Sequence, residues 1–156
     1  MSLRTAGWLL LLAACGRPAD DKAFAALQER GQAVMGVDQY TSAHVFEDLP
    51  DGGRIVLDRA AGADTAGVGV IRAHMRDIAV AFRAGDFSKP FQVHAHEVPG
   101  TDLMSAHQDA LTYDVVDRPL GAEVRIHTAD KAAISAVHEF LAFQRTDHRA
   151  AGHEGM

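Results

Sequence analysis

A two-layer α+β fold, with helices on one face of a mainly antiparallel sheet, is the class this 156-residue chain predicts, and three observations predict it. Two tight turns, Pro50-Asp51-Gly52 and Pro119-Leu120-Gly121, each lie between runs that alternate apolar and polar residues, as paired strands do. Each pair is followed by apolar residues at helical spacing. The chain also matches itself without gaps at an offset of 69 positions: Met35 falls on Met104, Gln39 on Gln108, Asp48 on Asp117, Pro50 on Pro119 and Gly52 on Gly121, while Ile55 and Leu57 fall on Val124 and Ile126. An internal duplication of a helix-hairpin-helix unit, about residues 24–85 and 101–148, is therefore expected.

Residues 1–14 hold one cation, Arg4, and an apolar run from Ala6 to Ala14, the pattern of a secretory signal too short to span a bilayer. Leu12-Ala13-Ala14-Cys15 resembles the lipobox of bacterial lipoproteins. The resemblance implies cleavage before Cys15, acylation of its sulfur with diacylglycerol and of the new N-terminus with a further chain, palmitate-like in kind, and a firm membrane anchor at the cell envelope, on the periplasmic or extracytoplasmic face. Residues 15–22, polar and carrying Pro18, read as a tether. A single domain follows over 23–148, and 149–156 reads as a flexible tail rich in His and Met.

Within that domain, residues 21–36 suggest a short helix using Phe24, Leu27 and Met35, weakened by Gly31. Strands 41–47 and 54–58 flank the first turn. The next helix carries Val68, Ile71, Met75, Ile78, Ala79 and Phe82 on one stripe and ends at Gly85. Phe91 to Val98 alternates apolar with polar residues, which predicts a fifth strand closed by Pro99-Gly100. A short helix with Thr101 or Asp102 as cap leads to the second hairpin. The last helix starts after Thr128 or Asp130 and places Ile134, Val137, Leu141 and His148 on one face, with Ile71 matching Ile134.

Chemistry has to come from imidazoles and thioethers. The chain has nine His, five Met and one Cys, so disulfides and a cysteine nucleophile are excluded from the folded domain. Its net charge of −6 argues against nucleic acid. His and Met donors in a thiol-free, extracytoplasmic setting suit copper. His94 and His96, two residues apart on the expected strand, share a side and are the first candidate ligands. Met104, His107, His138 and His148 are the auxiliary candidates, with Asp147 or Glu139 placed to orient a ligand imidazole and His153 and Met156 on the tail. The plainer reading has the His94–His96 pair on a solvated sheet face, His138 as a satisfied imidazole, His44 and His127 on strand surfaces, and Met35, Met75 and Met104 filling the core. No nucleophile elbow or phosphate loop is present, so no catalytic residue is assigned.

The segments from Met35 to Ile55 and from Val137 to His153, with Val93-His94-Ala95 and Val98-Pro99-Gly100, resemble a family of small bacterial exported proteins. Some members carry the name aspartate carbamoyltransferase. The catalytic chain of that enzyme binds carbamoyl phosphate through a Ser-Thr-Arg-Thr loop and its regulatory chain holds zinc with four cysteines; this chain has neither. The function expected is a membrane-tethered metal-binding protein, copper first. The alternative is a module binding a non-metal ligand or an envelope protein in a pocket lined by Tyr40, Phe46, Phe91 and Tyr113.

Overall fold

The computed structural model describes residues 18–38, 40–60 and 65–152. The signal at 1–14, Cys15, His153 and Met156 lie outside them. The order is α1 (Pro18–Met35), β1 (Ser42–Leu49), β2 (Gly52–Arg59), α2 (Thr65–Arg83), α3 (Ser88–His94), α4 (Thr101–Ala106), a 3-10 turn (Gln108–Ala110), β3 (Thr112–Arg118), β4 (Gly121–His127) and α5 (Lys131–Asp147). The strands form one antiparallel sheet in the order β1-β2-β4-β3. Among the described residues no helix is long and apolar enough to cross a membrane.

Alternation decides the two faces of the sheet. Phe46, Ile55, Leu57, Tyr113, Val124 and Ile126 are buried and join one core with α2 and α5. The other face carries charge toward water around a buried Val56, with Arg54 bridging Glu47 and Glu123, Arg118 bound to Asp58, and His127 bonded to Asp114 at 2.9 Å. The α2 stripe is buried at all six positions expected of it. In α5 the buried face is Ala133, Ala136, Val137, Phe140, Leu141 and Gln144, so Ile134, expected to match the buried Ile71, is only half-buried. Asp130 caps α5 by accepting from the backbone of Ala132 and Ala133, with Thr128 behind it.

The hairpins share one register. Phe46 pairs with Ile55 in the first, and Val115 with Val124, each 69 residues on, in the second. At the sheet centre Ile55 pairs with Val124 itself. Gly52 and Gly121 leave equivalent turns, and each permits a close backbone approach: a Cβ on Gly52 would meet the carbonyl oxygen of Ile126, and one on Gly121 that of Leu57. The helices before the hairpins differ, because α1 spans 18 residues and packs on α3, whereas α4 spans 6 and packs on α5.

Three expectations are corrected. Residues 91–94 are helical, not a fifth strand. Pro90 is tolerated in the first turn of α3, and the buried set Pro90, Val93 and His94 has helical spacing, with Phe91 turned to solvent; six alternating residues were too few to define the period. Ala95 ends the helix in the left-handed region, its N–H donating to the Phe91 carbonyl. Neither Thr101 nor Asp102 caps α4. The capping position is Gly100, and Thr101 Oγ1 instead donates to the Val98 carbonyl, 2.7 Å away. The terminal segments hold more structure than composition implied: α1 already begins at Pro18, inside the expected tether, and Ala151 bridges Val45 at the edge of β1, its carbonyl accepting from Phe46 N at 2.9 Å.

Candidate functional site

A cavity of about 60 Å³ opens where the C-terminal end of α1, the strands β1 and β2, and helices α2, α3 and α5 meet. Its floor is apolar: Phe46, Ile55, Leu57, Ile78, Phe82 and Phe140. Four imidazoles line it, those of His44, His74, His94 and His148, together with the thioethers of Met35 and Met75, the amide of Gln144 and the ammonium-bearing Lys89.

Each imidazole is placed by its element. His44 lies on β1 two residues before Phe46 and therefore on the same, core-facing side. Its ring stacks on that of His148, centroids 5.0 Å apart. His148 follows the last turn of α5, seven residues beyond Leu141, and meets the His94 ring edge-on at 5.1 Å. His74 precedes the buried Met75 on α2, at the border of the apolar stripe. His94 is buried in the last turn of α3 and is gripped from both sides: Nδ1 bonds the Asp147 carboxylate, and Nε2 lies 3.1 Å from Gln144 Oε1. In the neutral ring with Nδ1–H donating to Asp147, Nε2 carries the lone pair and is served by the Gln144 amide through its NH2 group, half a turn about χ3. A carboxylate behind an imidazole fixes the tautomer and the orientation of the ring, which is the role expected of Asp147.

Burial sets the electrostatics. It holds His44 down at about 4, with His74 adding to the effect. His74 also stands at about 4, through burial and then Lys89, against the opposing pull of Asp77. His148 falls to about 3, through burial, His44 and His94, against Asp147. All three rings are neutral at pH 7 and keep a lone pair available for a ligand.

Of the candidate ligands, the fold brings together His94 and His148, with His96 at their margin. The His94 and His96 centroids are 6.2 Å apart, but His96 is exposed and its Nδ1 faces the Glu97 carbonyl at 2.8 Å. The shared-side geometry expected of a strand is lost in the helix. Met104 is fully buried in the core, away from the cavity walls. His107 Nδ1 lies 2.7 Å from Asp130, tying α4 to the cap of α5. His138 Nε2 lies 2.9 Å from the Leu49 carbonyl. None of these three lines the cavity. His44 and His74 were missed as site residues, although the two-residue period through His44 and Phe46 and the place of His74 beside Met75 were signals for both.

Among the described residues no group of three or more His, Cys, Asp and Glu side chains is arranged to hold a metal ion as it stands. The pocket expected for the alternative does not form, since Phe46 lines the cavity, Tyr113 is in the core, Tyr40 is exposed, and Phe91 lines a separate cleft of about 270 Å³ with Phe87, Ser88, Thr101, Asp102 and Ser105. No family model, curated protein or solved structure matches the chain.

Proposed function

We propose that this is a cell-envelope protein, tethered to the membrane through a lipidated Cys15, that binds one soft metal ion, copper first, in the cavity between His44, His94 and His148. The observation that carries the reading is the spacing of these rings around a space also lined by Met35 and Met75. Two imidazoles bound to one ion at about 2 Å in tetrahedral geometry have ring centres roughly 5 Å apart. The His44–His148 centroids, at 5.0 Å, have that separation, and a turn of the two stacked rings about their χ angles would aim a nitrogen of each at one ion; His94, 5.1 Å from His148 and bonded at both nitrogens, stands behind them. Size points the same way: 60 Å³ suits an ion with its donors, whereas small-molecule pockets run to about 300–1,000 Å³.

Metal analysis of the full-length protein purified from its native envelope tests this. One ion per chain is expected, lost in a His44→Ala, His148→Ala double variant that still folds. A native protein without metal that also fails to take up copper, zinc or nickel on titration removes the proposal.

The cleft beside Phe91 favours a second reading, a small organic ligand or an envelope protein held by its two phenyl rings and its hydroxyls. A Phe91→Ala variant separates the two, because it leaves metal uptake intact and weakens only such a ligand. We further infer that the two halves descend from one duplicated hairpin-and-helix unit. The shared hairpin register, the reciprocal approaches at Gly52 and Gly121, and the recurrence of buried α2 positions 71, 75, 78, 79 and 82 at 133, 137, 140, 141 and 144 support it. The helix ahead of each hairpin is not part of that likeness.

A further inference from the structure

Charge accounting around the cavity narrows the ion. Among the described residues no Asp or Glu lines it, and the one formally charged wall residue is a cation, Lys89. Two carboxylates stand one residue behind the wall. Asp77 is paired with Lys89 at 3.1 Å and is cancelled by it. Asp147 is bonded to His94, whose side chain is 1 % exposed, and where that ring is neutral it carries the one uncancelled negative charge behind the walls among the described residues. The remaining donors, imidazole and thioether, are neutral, and the floor is made of aliphatic and aromatic carbon.

Solvation energy grows with the square of an ion's charge, so moving a divalent ion out of water into such walls costs about four times as much as moving a monovalent one of the same radius. Divalent sites offset that cost with carboxylates, thiolates or, where all the ligands are imidazoles, a bound hydroxide, and among the described residues the walls supply neither a carboxylate nor a thiolate. A monovalent ion is matched by Asp147 alone. Resting on the metal-binding reading above, we propose that the cavity is a site for Cu(I), held by His44, His148 and the thioethers of Met35 and Met75 with His94 and Asp147 behind them, and that it discriminates against Zn(II) and Cu(II).

Anaerobic titration of the full-length protein in detergent, with Cu(I) against a chromogenic Cu(I) chelator and in parallel with Zn(II) and Cu(II), tests the preference. One Cu(I) per chain is expected, bound at least 100-fold more tightly than either divalent ion. Met35→Leu and Met75→Leu, which keep volume and apolarity, should each weaken Cu(I) at least tenfold while leaving the weak Zn(II) binding within twofold. Gln144→Glu, which sets a carboxylate on the wall, should move the Cu(I)-to-Zn(II) ratio at least tenfold toward zinc. Zn(II) or Cu(II) bound as tightly as Cu(I), in a manner that depends on His44 and His148, overturns the monovalent preference and leaves the metal reading standing. Failure of all three ions to bind overturns both. Unchanged Cu(I) affinity in both methionine variants removes the thioethers from the site.

Discussion

Arg145, near the end of α5, closes a buried ion pair with Asp48 near the end of β1: Nη1 lies 2.8 Å from Oδ1, and the two side chains are only 10 % and 5 % exposed. The same nitrogen donates to the Phe46 carbonyl at 3.0 Å. Removing one partner strands the other charge in a place that water hardly reaches. Asp48→Ala should therefore cost about 3–5 kcal/mol in chemical denaturation. Adding Arg145→Met should recover a substantial part of the loss. A double variant less stable than the single by the full value of a second deletion would show that the two side chains act independently.

Acid should unfold the protein through its histidines before its carboxylates. Unfolded imidazoles take up protons near pH 6.5. In the fold His44 and His74 do so at about 4 and His148 at about 3. Between those limits the unfolded chain binds more protons, so stability is full above about pH 6.5 and falls as pH drops toward 4. The facing groups are included: His44 meets His74 and His148, His74 meets Lys89 and Asp77, and His148 meets His94 and Asp147. Asp51, Asp86 and Asp130, whose acidity is strengthened by hydrogen bonds, contribute only below this window. Metal-free protein should lose melting temperature steadily from pH 6.5 to 4.5, and His74→Gln should shallow that slope. A melting temperature that stays level or rises across the window contradicts the burial of these rings.

Tyr113 is fully buried, with its hydroxyl lacking any hydrogen-bond partner among the described residues. Burial raises its pKa strongly, for the same lack of solvation. An unsatisfied buried hydroxyl costs about 1–3 kcal/mol, and phenylalanine keeps the ring and its edge-on contact with Phe82. Tyr113→Phe should be at least as stable as the parent and gain on the order of 1 kcal/mol; a loss of that size would reveal a hidden partner.

Gly121→Ala should be among the most damaging single methyl additions. The new Cβ has no room against the Leu57 carbonyl on the neighbouring central strand, so β2 and β4 must part or shift. About 3 kcal/mol or more is expected, read as a lower denaturation midpoint. Gly69→Ala, where the added carbon meets nothing, is the control and should be neutral or mildly stabilising.

Both hairpins and the whole buried stripe of α2 were legible because their signals are local: a turn residue at a fixed place and a period repeated over several turns of helix. The segment at 91–96 misled because two periods fit six residues equally well, and only packing against α1 chose the helix. Ile134 misled for a related reason. Alanines at 133 and 136 do not register as apolar anchors, yet small side chains are what bring α5 close to the sheet, where Gly53 sits beneath Leu141. The lining of the cavity was half legible. His94 and His148 were singled out by chemistry, His94 through a strand spacing that the helix replaces, and Asp147, one of two carboxylates named to orient an imidazole, bonds His94. Their junction with His44 and His74 depends on which strand lies beside which helix, and no single stretch of sequence states that.

The first helix has a consequence for reach. Its 18 residues make a rod about 27 Å long at 1.5 Å per residue. Cys15 lies three residues before its start, and Val34 and Met35 at its far end help line the cavity. With lipid on that cysteine and an ion in the cavity, both as proposed, the ion would lie up to a helix length away from the anchor.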